Sequence, residues 1–356
     1  MRSVRRVWPP AEVRVIDCPM PIGAYDQIVL GHGSGGRLSA DLVAKLFVPG
    51  FGLSNAPLED SAIVDATGRI AITTDSFVVT PRFFPGGDLG RLAIAGTVND
   101  LAVGGAEPRW ISAAFILEEG LPIAELHRIV ASMREACAAS EVRLVTGDTK
   151  VVERGKGDGV FITTTGVGTV AAGRSLSITN PRVGDVLLAS GPLGDHGVTI
   201  LAQREATALE TDLVSDVAPV IGLVRALLAA VPGVRWMRDP TRGGLASVAC
   251  ELAAGARVGV RLVEKALPFR DQVRAACELW GLEPMHMASE GRVIVAVAPE
   301  DADRALVALR GHALGQGAAI IGECVSAHAG SVVLASRAGG DRVVAMLSGE
   351  PLPRIC

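Results

Sequence analysis

The stretch Asp88-Leu-Gly-Arg-Leu-Ala-Ile-Ala-Gly-Thr-Val-Asn-Asp-Leu-Ala-Val-Gly-Gly105 reads as one helix over residues 88–103. Asp88 is placed to cap its first turn, where a short carboxylate accepts from orphan backbone N–H groups. Gly104 and Gly105 stop it. Upstream, residues 61–64 and 69–74 are strand-like, the second run ending in Asp75. Downstream, residues 110–117 alternate as a strand, and residues 122–140 form a helical stretch opened by Pro122. Residues 142–152 and 160–170 then read as two strands joined by a polar, glycine-bearing loop over 153–159.

Working outward, residues 28–36 run into the glycine loop Gly31-His-Gly-Ser-Gly-Gly36, and residues 39–47 suggest a short helix. Residues 1–26 are Pro-rich and aperiodic, and are expected to form an extension. Asn180-Pro-Arg-Val-Gly-Asp185 is a turn and marks the boundary between halves. Beyond it, strands are expected over 186–190, 293–298, 318–321 and 332–335. Helices are expected over 197–204, 218–230, 243–255, 269–279 and 300–311. The end, Ser348-Gly-Glu-Pro-Leu-Pro-Arg-Ile-Cys356, holds two prolines and a glycine, which exclude helix and central strand. The expected organisation is an extension (1–26), an α+β half (27–179), a second α+β half (180–340) and a mobile tail (341–356).

Composition bounds the function. The chain has 356 residues with 49% hydrophobic, 20% charged and 4% aromatic residues, and 42 glycines, which suits a packed two-domain protein. The net charge is −4 and no basic stripe with interleaved aromatics occurs, so nucleic acid is not an expected partner. The apolar run at 217–231 contains Arg225 and is too short to span a bilayer, and the basic start is followed by Trp8-Pro-Pro10, so neither a membrane nor a signal peptide is expected. Six cysteines include no CxxC pair. Cys137, Cys250 and Cys277 sit in apolar helical patterns as small hydrophobes, which fits a reducing, cytoplasmic setting.

No P-loop is present, and no GxGxxG motif stands after a strand. Acidic residues instead recur where strands end or helices begin: Asp60, Asp75, Asp100, Asp148 and Asp239. Each alone would be a cap or turn residue. Five together suit a triphosphate held through Mg2+, a hard cation that bridges carboxylates to phosphate oxygens. Thr146-Gly-Asp-Thr-Lys150 sets a lysine, one of only four in the chain, beside Asp148 at the end of an apolar strand. Asp239-Pro-Thr-Arg-Gly-Gly244 opens a helix whose free N–H groups suit phosphate. Cys356 is the last residue. Its own carboxylate raises the thiol pKa and Arg354 opposes this, so the thiol suits a carrier loaded by another enzyme.

Together these segments resemble the HypE-type hydrogenase maturation proteins, of the superfamily that includes aminoimidazole ribonucleotide synthetase, selenophosphate synthetase and thiamine-monophosphate kinase. The matching residues are His32-Gly-Ser-Gly-Gly36, Thr73-Thr-Asp-Ser-Phe77, Phe83-Phe-Pro-Gly-Gly-Asp88, Gly96-Thr-Val-Asn-Asp-Leu-Ala102, residues 146–159, Asp239 to Gly244, Ser289-Glu-Gly291 and Pro353-Arg-Ile-Cys356. The tail is the most specific piece.

The resemblance implies a two-domain aminoimidazole ribonucleotide synthetase-like α+β fold, in which N-terminal sheets of a homodimer merge into a barrel-like core. It implies an ATP-dependent carbamoyl dehydratase. A HypF-type carbamoyltransferase loads Cys356, the carbamoyl group becomes a thiocyanate, and a HypC–HypD complex receives the cyanide as an iron ligand of [NiFe] hydrogenase. Metal ligands are expected at Asp60, Asp75, Asp100 and Asp239. Asn99, Thr146, Asp148, Lys150, Thr241, Gly243 and Gly244 join Asp75 and Asp100 around ATP. Glu290 or His32 is the expected general base. The alternative is another ATP-using member of the superfamily, such as selenophosphate synthetase, with Cys18 as its reactive thiol.

Overall fold

The computed structural model describes residues 25–34, 37–52, 64–204, 211–346 and 355. In the first half, α1 (Arg37–Leu42) passes through a π turn, Val43–Phe47, into the short α2 (Val48–Gly50). Then follow β1 (Arg69–Phe77), a two-stranded hairpin of β2 (Phe83–Phe84) and β3 (Gly87–Asp88), and α3 (Leu89–Val103). Asp88 caps α3 as its sequence requires, accepting from the Arg91 N–H at 3.0 Å. β4 (Ala106–Glu118), α4 (Ile123–Ala139), β5 (Arg143–Val152) and β6 (Val160–Val170) complete this half. The sheet order is β1-β6-β4-β5.

Packing follows from periodicity. β4 alternates buried and exposed residues along much of its length. α4 buries Leu126, Ile129, Val130, Met133 and Cys137, one face of a 3.6-residue period. Each of the larger of these contributes about 1.5–3 kcal/mol by leaving water. α3 is buried almost all round, because it lies between the sheet, α4 and the second half. Among the described residues no element covers the opposite face of the sheet, where Ile70, Ile72 and Ile116 are exposed.

The two strands expected around the polar loop 153–159 are present, but they are not neighbours: β4 lies between them. Glu118, at the end of β4, accepts from the Gly155 and Gly159 N–H groups at 2.5 and 2.9 Å, which pins the loop as it crosses that strand. The same bonds hold the Glu118 carboxyl below its ordinary pKa.

The second half contains β7 (Val186–Ala189), α5 (Asp195–Arg204), α6 (Ile221–Ala230), β8 (Trp236–Arg238), α7 (Gly244–Ala256), β9 (Gly259–Val263), α8 (Asp271–Trp280), β10 (Ile294–Val297), α9 (Ala302–Arg310), β11 (Ala319–Val325), β12 (Val332–Ala335) and β13 (Asp341–Val344). The seven strands form one sheet in the order β13-β12-β9-β11-β7-β10-β8. Three were not expected from sequence. β8 has three residues, too few to show a period. β9 carries Arg261 and begins at Gly259, where a Cβ would lie 1.8 Å from the Ala327 carbonyl oxygen. β13 occupies the first four residues assigned to the tail; it is an edge strand, mostly exposed and held by its backbone ladder to β12.

Among the described residues, no helix is long and apolar enough to cross a membrane. Cys137, Cys277 and Cys324 are buried, and burial pushes their thiols up to about 12. Cys250 is half-buried and its thiol is raised for the same reason.

Candidate active site

The candidate site lies where the end of β1, the last turn of α3, the loop after β8 and the turn before β10 meet. Gly96 allows this approach: a Cβ there would stand 2.8 Å from the Phe77 ring, so only glycine lets α3 lie against β1 at this distance. Asp75 and Asp100 come together from the first half, and Asp239 and Glu290 join them from the second. All four line one cavity of about 130 Å3, with Thr241, Arg238 and Arg242 also on its wall. The Thr73 hydroxyl donates to Asp100 at 2.7 Å and orients that carboxylate.

Four carboxylates in a small, poorly hydrated space repel one another. Burial raises Asp75 to about 6, helped by the charge of Asp100. Burial raises Asp239 to about 7, with Asp100 and Asp75 adding to it. Glu290 is buried and pushed well above the carboxylate range by desolvation first, then by Asp239 and Asp216. Arg242 pulls Asp75 and Glu290 the other way. The Glu290 Oε1 is buried with no hydrogen-bond partner among the described residues.

The turn that presents Glu290 is fixed from beneath. Its N–H donates to Asp216 at 3.1 Å, and Asp216 pairs with Arg292 at 3.5 Å. Ser289 accepts from the Gly194 N–H at 2.8 Å. Gly291 is required because a Cβ would stand 1.9 Å from the Asp216 carbonyl oxygen. On the loop after β8, Gly243 (φ 78°) and Gly244 (φ 57°) are both left-handed, and a Cβ on Gly244 would meet the Met285 and Met287 carbonyls at 2.5 and 2.6 Å. The paired glycines thus seat the start of α7 against residues 285–287.

Other expected site residues stand elsewhere. Asn99 is buried, and its amide spans the two halves: Nδ2 donates to the Ala218 and Glu290 carbonyls at 3.1 and 3.2 Å, and Oδ1 accepts from the Val220 N–H at 2.7 Å. Its amide thus ties the last turn of α3 to the Glu290 turn and to the start of α6. Thr146, Asp148 and Lys150 lie on β5, at the opposite edge of the sheet from β1 and three strand spacings away, roughly 14 Å. Asp148 and Lys150 are exposed and sit opposite Ala114 and Ile116 of β4, so all three β5 residues project from the uncovered face. His32 is near this edge, where neighbouring Gly33 packs on Val151. Its Nδ1 accepts from the Val29 N–H at 3.0 Å, its Nε2 is buried without a partner among the described residues, and burial lowers its pKa. Asp60, Cys18 and Cys356 lie outside the described residues.

Residues 58–170 match the AIR synthase related protein, N-terminal domain, and residues 182–335 match the AIR synthase related protein, C-terminal domain. The chain is 50% identical over 335 residues to carbamoyl dehydratase HypE of Rhodobacter capsulatus, covering 93% of this chain and 98% of that one. It is 45% identical to carbamoyl dehydratase HypE of Escherichia coli K12, covering 93% and 100%. This chain belongs to the HypE carbamoyl dehydratase family.

A solved structure of hydrogenase maturation protein HypE in complex with ATP superposes with a TM-score of 0.88 at 44% identity, covering 92% of this chain and 99% of that one. A HypE–HypF complex gives 0.76 at 44% identity, covering 78% and 90%. Thiamine-monophosphate kinase of Stenotrophomonas maltophilia K279a, at 19% identity and a TM-score of 0.62, shares the fold. Membership in the HypE family favours the dehydratase over the selenophosphate-synthetase alternative. Three residues of the HypE-type site had no role assigned from sequence: Arg238 and Arg242, which supply the cavity's cations, and Asp216, which holds the Glu290 turn. The arginines flank Asp239 in sequence, a usable signal. Asp216 carried none.

Proposed function

We propose that this chain dehydrates an S-carbamoyl group on its own Cys356 to a thiocyanate, consuming ATP, and so provides the cyanide ligand for the iron of a [NiFe] hydrogenase. The observation that carries this reading is the convergence of Asp75 and Asp100 with Asp239 and Glu290 in one cavity spanning both halves. An amide oxygen is a poor leaving group. Transfer of the γ-phosphoryl group to it, with loss of one N–H proton, gives an imidate phosphate; loss of phosphate and of the second N–H proton then leaves the C≡N bond. Such chemistry requires mainly positioning and charge stabilisation.

The donor set fits Mg2+. It is all oxygen, its members repel one another, and the Glu290 Oε1 has no partner. Among the described residues, no three potential ligands stand close enough to form a ready cage. One or two of Asp75, Asp100 and Asp239 would therefore hold the ion, with phosphate oxygens completing its shell. The ion supplies charge neutralisation on the phosphates. Arg238, Thr241 and Arg242 line the cavity and would orient them. Glu290 takes the N–H proton: desolvation and neighbouring carboxylates give it the high proton affinity that a general base needs.

A HypF-type carbamoyltransferase loads Cys356 in this reading, supported by the likeness to the HypE–HypF complex. A HypC–HypD complex receives the product. The setting is the cytoplasm, consistent with the free cysteines. A second copy would cover Ile70, Ile72 and Ile116 and merge two sheets into a barrel-like core. Thr146, Asp148 and Lys150, on the same face, would then lie in the interface. The test is intact mass of the C-terminal peptide after carbamoylation and ATP addition. Loss of one water mass is expected, and a carbamoylated peptide whose mass ATP leaves unchanged sinks the reading.

A further inference from the structure

Ile355, the residue before the substrate cysteine, is buried in the hydrophobic core at 3% exposure. Its carbonyl oxygen lies 2.6 Å from Nε2 of His196, a fully buried residue on the first turn of α5. A carbonyl only accepts, so Nε2 carries the proton. Nδ1 of the same ring is 2.8 Å from the Ser215 hydroxyl, which itself accepts from the Val217 N–H at 3.2 Å. In a fully buried ring held neutral, Nδ1 then accepts from the Ser215 O–H, and the one donor is aimed at the tail. Burial agrees, lowering this imidazole to about 4.

The imidazole is held on every side. Phe84, at the tip of the β2–β3 hairpin, meets it edge-on with ring centroids 5.5 Å apart. The next hairpin residue, Pro85, accepts from the Ser215 N–H at 2.9 Å, and Gly86 is obligatory because a Cβ would stand 2.6 Å from the Ser215 carbonyl oxygen. The segments on either side of the imidazole also carry the Glu290 turn. The Gly197 N–H donates to the Ala288 carbonyl at 3.0 Å, and Asp216 receives the Glu290 N–H.

We infer that His196, set by Ser215, is the anchor that receives the C-terminal tail: its Nε2–H grips the peptide unit carrying Cys356 and aligns the S-carbamoyl group with the Glu290 turn. The bonded carbonyl belongs to the planar peptide joining Ile355 to Cys356, so one hydrogen bond restrains the orientation from which the substrate side chain departs. His196 is thus a positioning residue for the dehydration step. The inference rests on the dehydratase reading above.

The test uses the full chain, carbamoylated and supplied with Mg2+ and ATP, following water loss from the C-terminal peptide by intact mass and hydrogen exchange of that peptide in parallel. His196→Ala is expected to load carbamoyl to the wild-type extent, to dehydrate about tenfold more slowly, the weight of one buried hydrogen bond, and to exchange faster at the tail. His196→Gln places an amide donor near Nε2 and is expected to recover rate, whereas His196→Asn reaches only the Nδ1 position and is not. Equal rates for Gln and Asn, or a wild-type rate for Ala, overturn the anchor. Should the core variants fail to fold, Ile355→Asp leaves the body untouched; it must show the same slow dehydration with normal ATP binding, and a wild-type rate there also overturns the inference. A wild-type chain that loads carbamoyl but loses no water with ATP instead defeats the parent reading.

Discussion

The carboxylate cavity and the β5 edge contain the same kinds of residue in opposite physical states. Asp239 and Glu290 are buried and Asp75 is half-buried beside them, all with their proton affinities raised. Asp148 and Lys150 stand exposed on an edge strand. Burial makes the first set reactive and costly to the fold. Exposure makes the second set harmless to it, and useful only when something docks on that face.

Four measurements can break or sharpen this contrast. Glu290→Gln should lower dehydration by about 10²–10⁴-fold, the usual weight of a positioned base, while isothermal titration still detects ATP; retention of most activity would remove Glu290 from the chemistry. Next is pH. The folded-state pKa values of Asp75 and Asp239 lie above their ordinary value, so the stability they confer is complete below about 4 and is lost as pH rises through about 6 to 7. In chelator-treated protein Asp239→Asn should therefore raise stability at pH 8 by on the order of a few kcal/mol and do little at pH 4. Thermal melts showing the reverse trend would contradict the repulsion.

Smaller in effect, Lys150→Ala should weaken turnover about tenfold, the loss of one charged contact to phosphate. Mixing it with Asp75→Asn chains should restore activity if the two residues serve one site from different copies; no recovery, with mixed dimers verified by native mass, would confine each site to one chain. Smallest, Asp148→Asn should shift stability by less than about 0.5 kcal/mol at any pH, as exposed substitutions do. A large shift in the melt would show this edge to be as strained as the cavity.

Much of this was legible in the sequence. The cap at Asp88, the helix it begins and the long strands β4 and β6 follow from local rules that the structure obeys. The carboxylates could be named because strand ends and helix starts carry them. Their grouping could not be read, since it depends on which strand lies between which: β4 parts β5 from β6, and that separates Lys150 from Asp75. The bridge made by Asn99 could not be read for a related reason. That residue adjoins Asp100 in sequence, but successive residues on a helix point about 100° apart, and its amide faces the other half of the molecule. His196 gave no pattern at all, because its partners, Ser215 and Ile355, are 19 and 159 residues away.

The burial of Ile355 has a consequence for range. Ten residue-to-residue steps lead from Met346, just past the last strand, to Cys356. A fully extended chain of that length spans about 35 Å. With Ile355 released from the core and its carbonyl from His196, a chain of that length could carry the sulfur a distance comparable to the width of a small domain. The enzyme can then hand its own substrate to a neighbour on a leash, while the body that does the chemistry stays still.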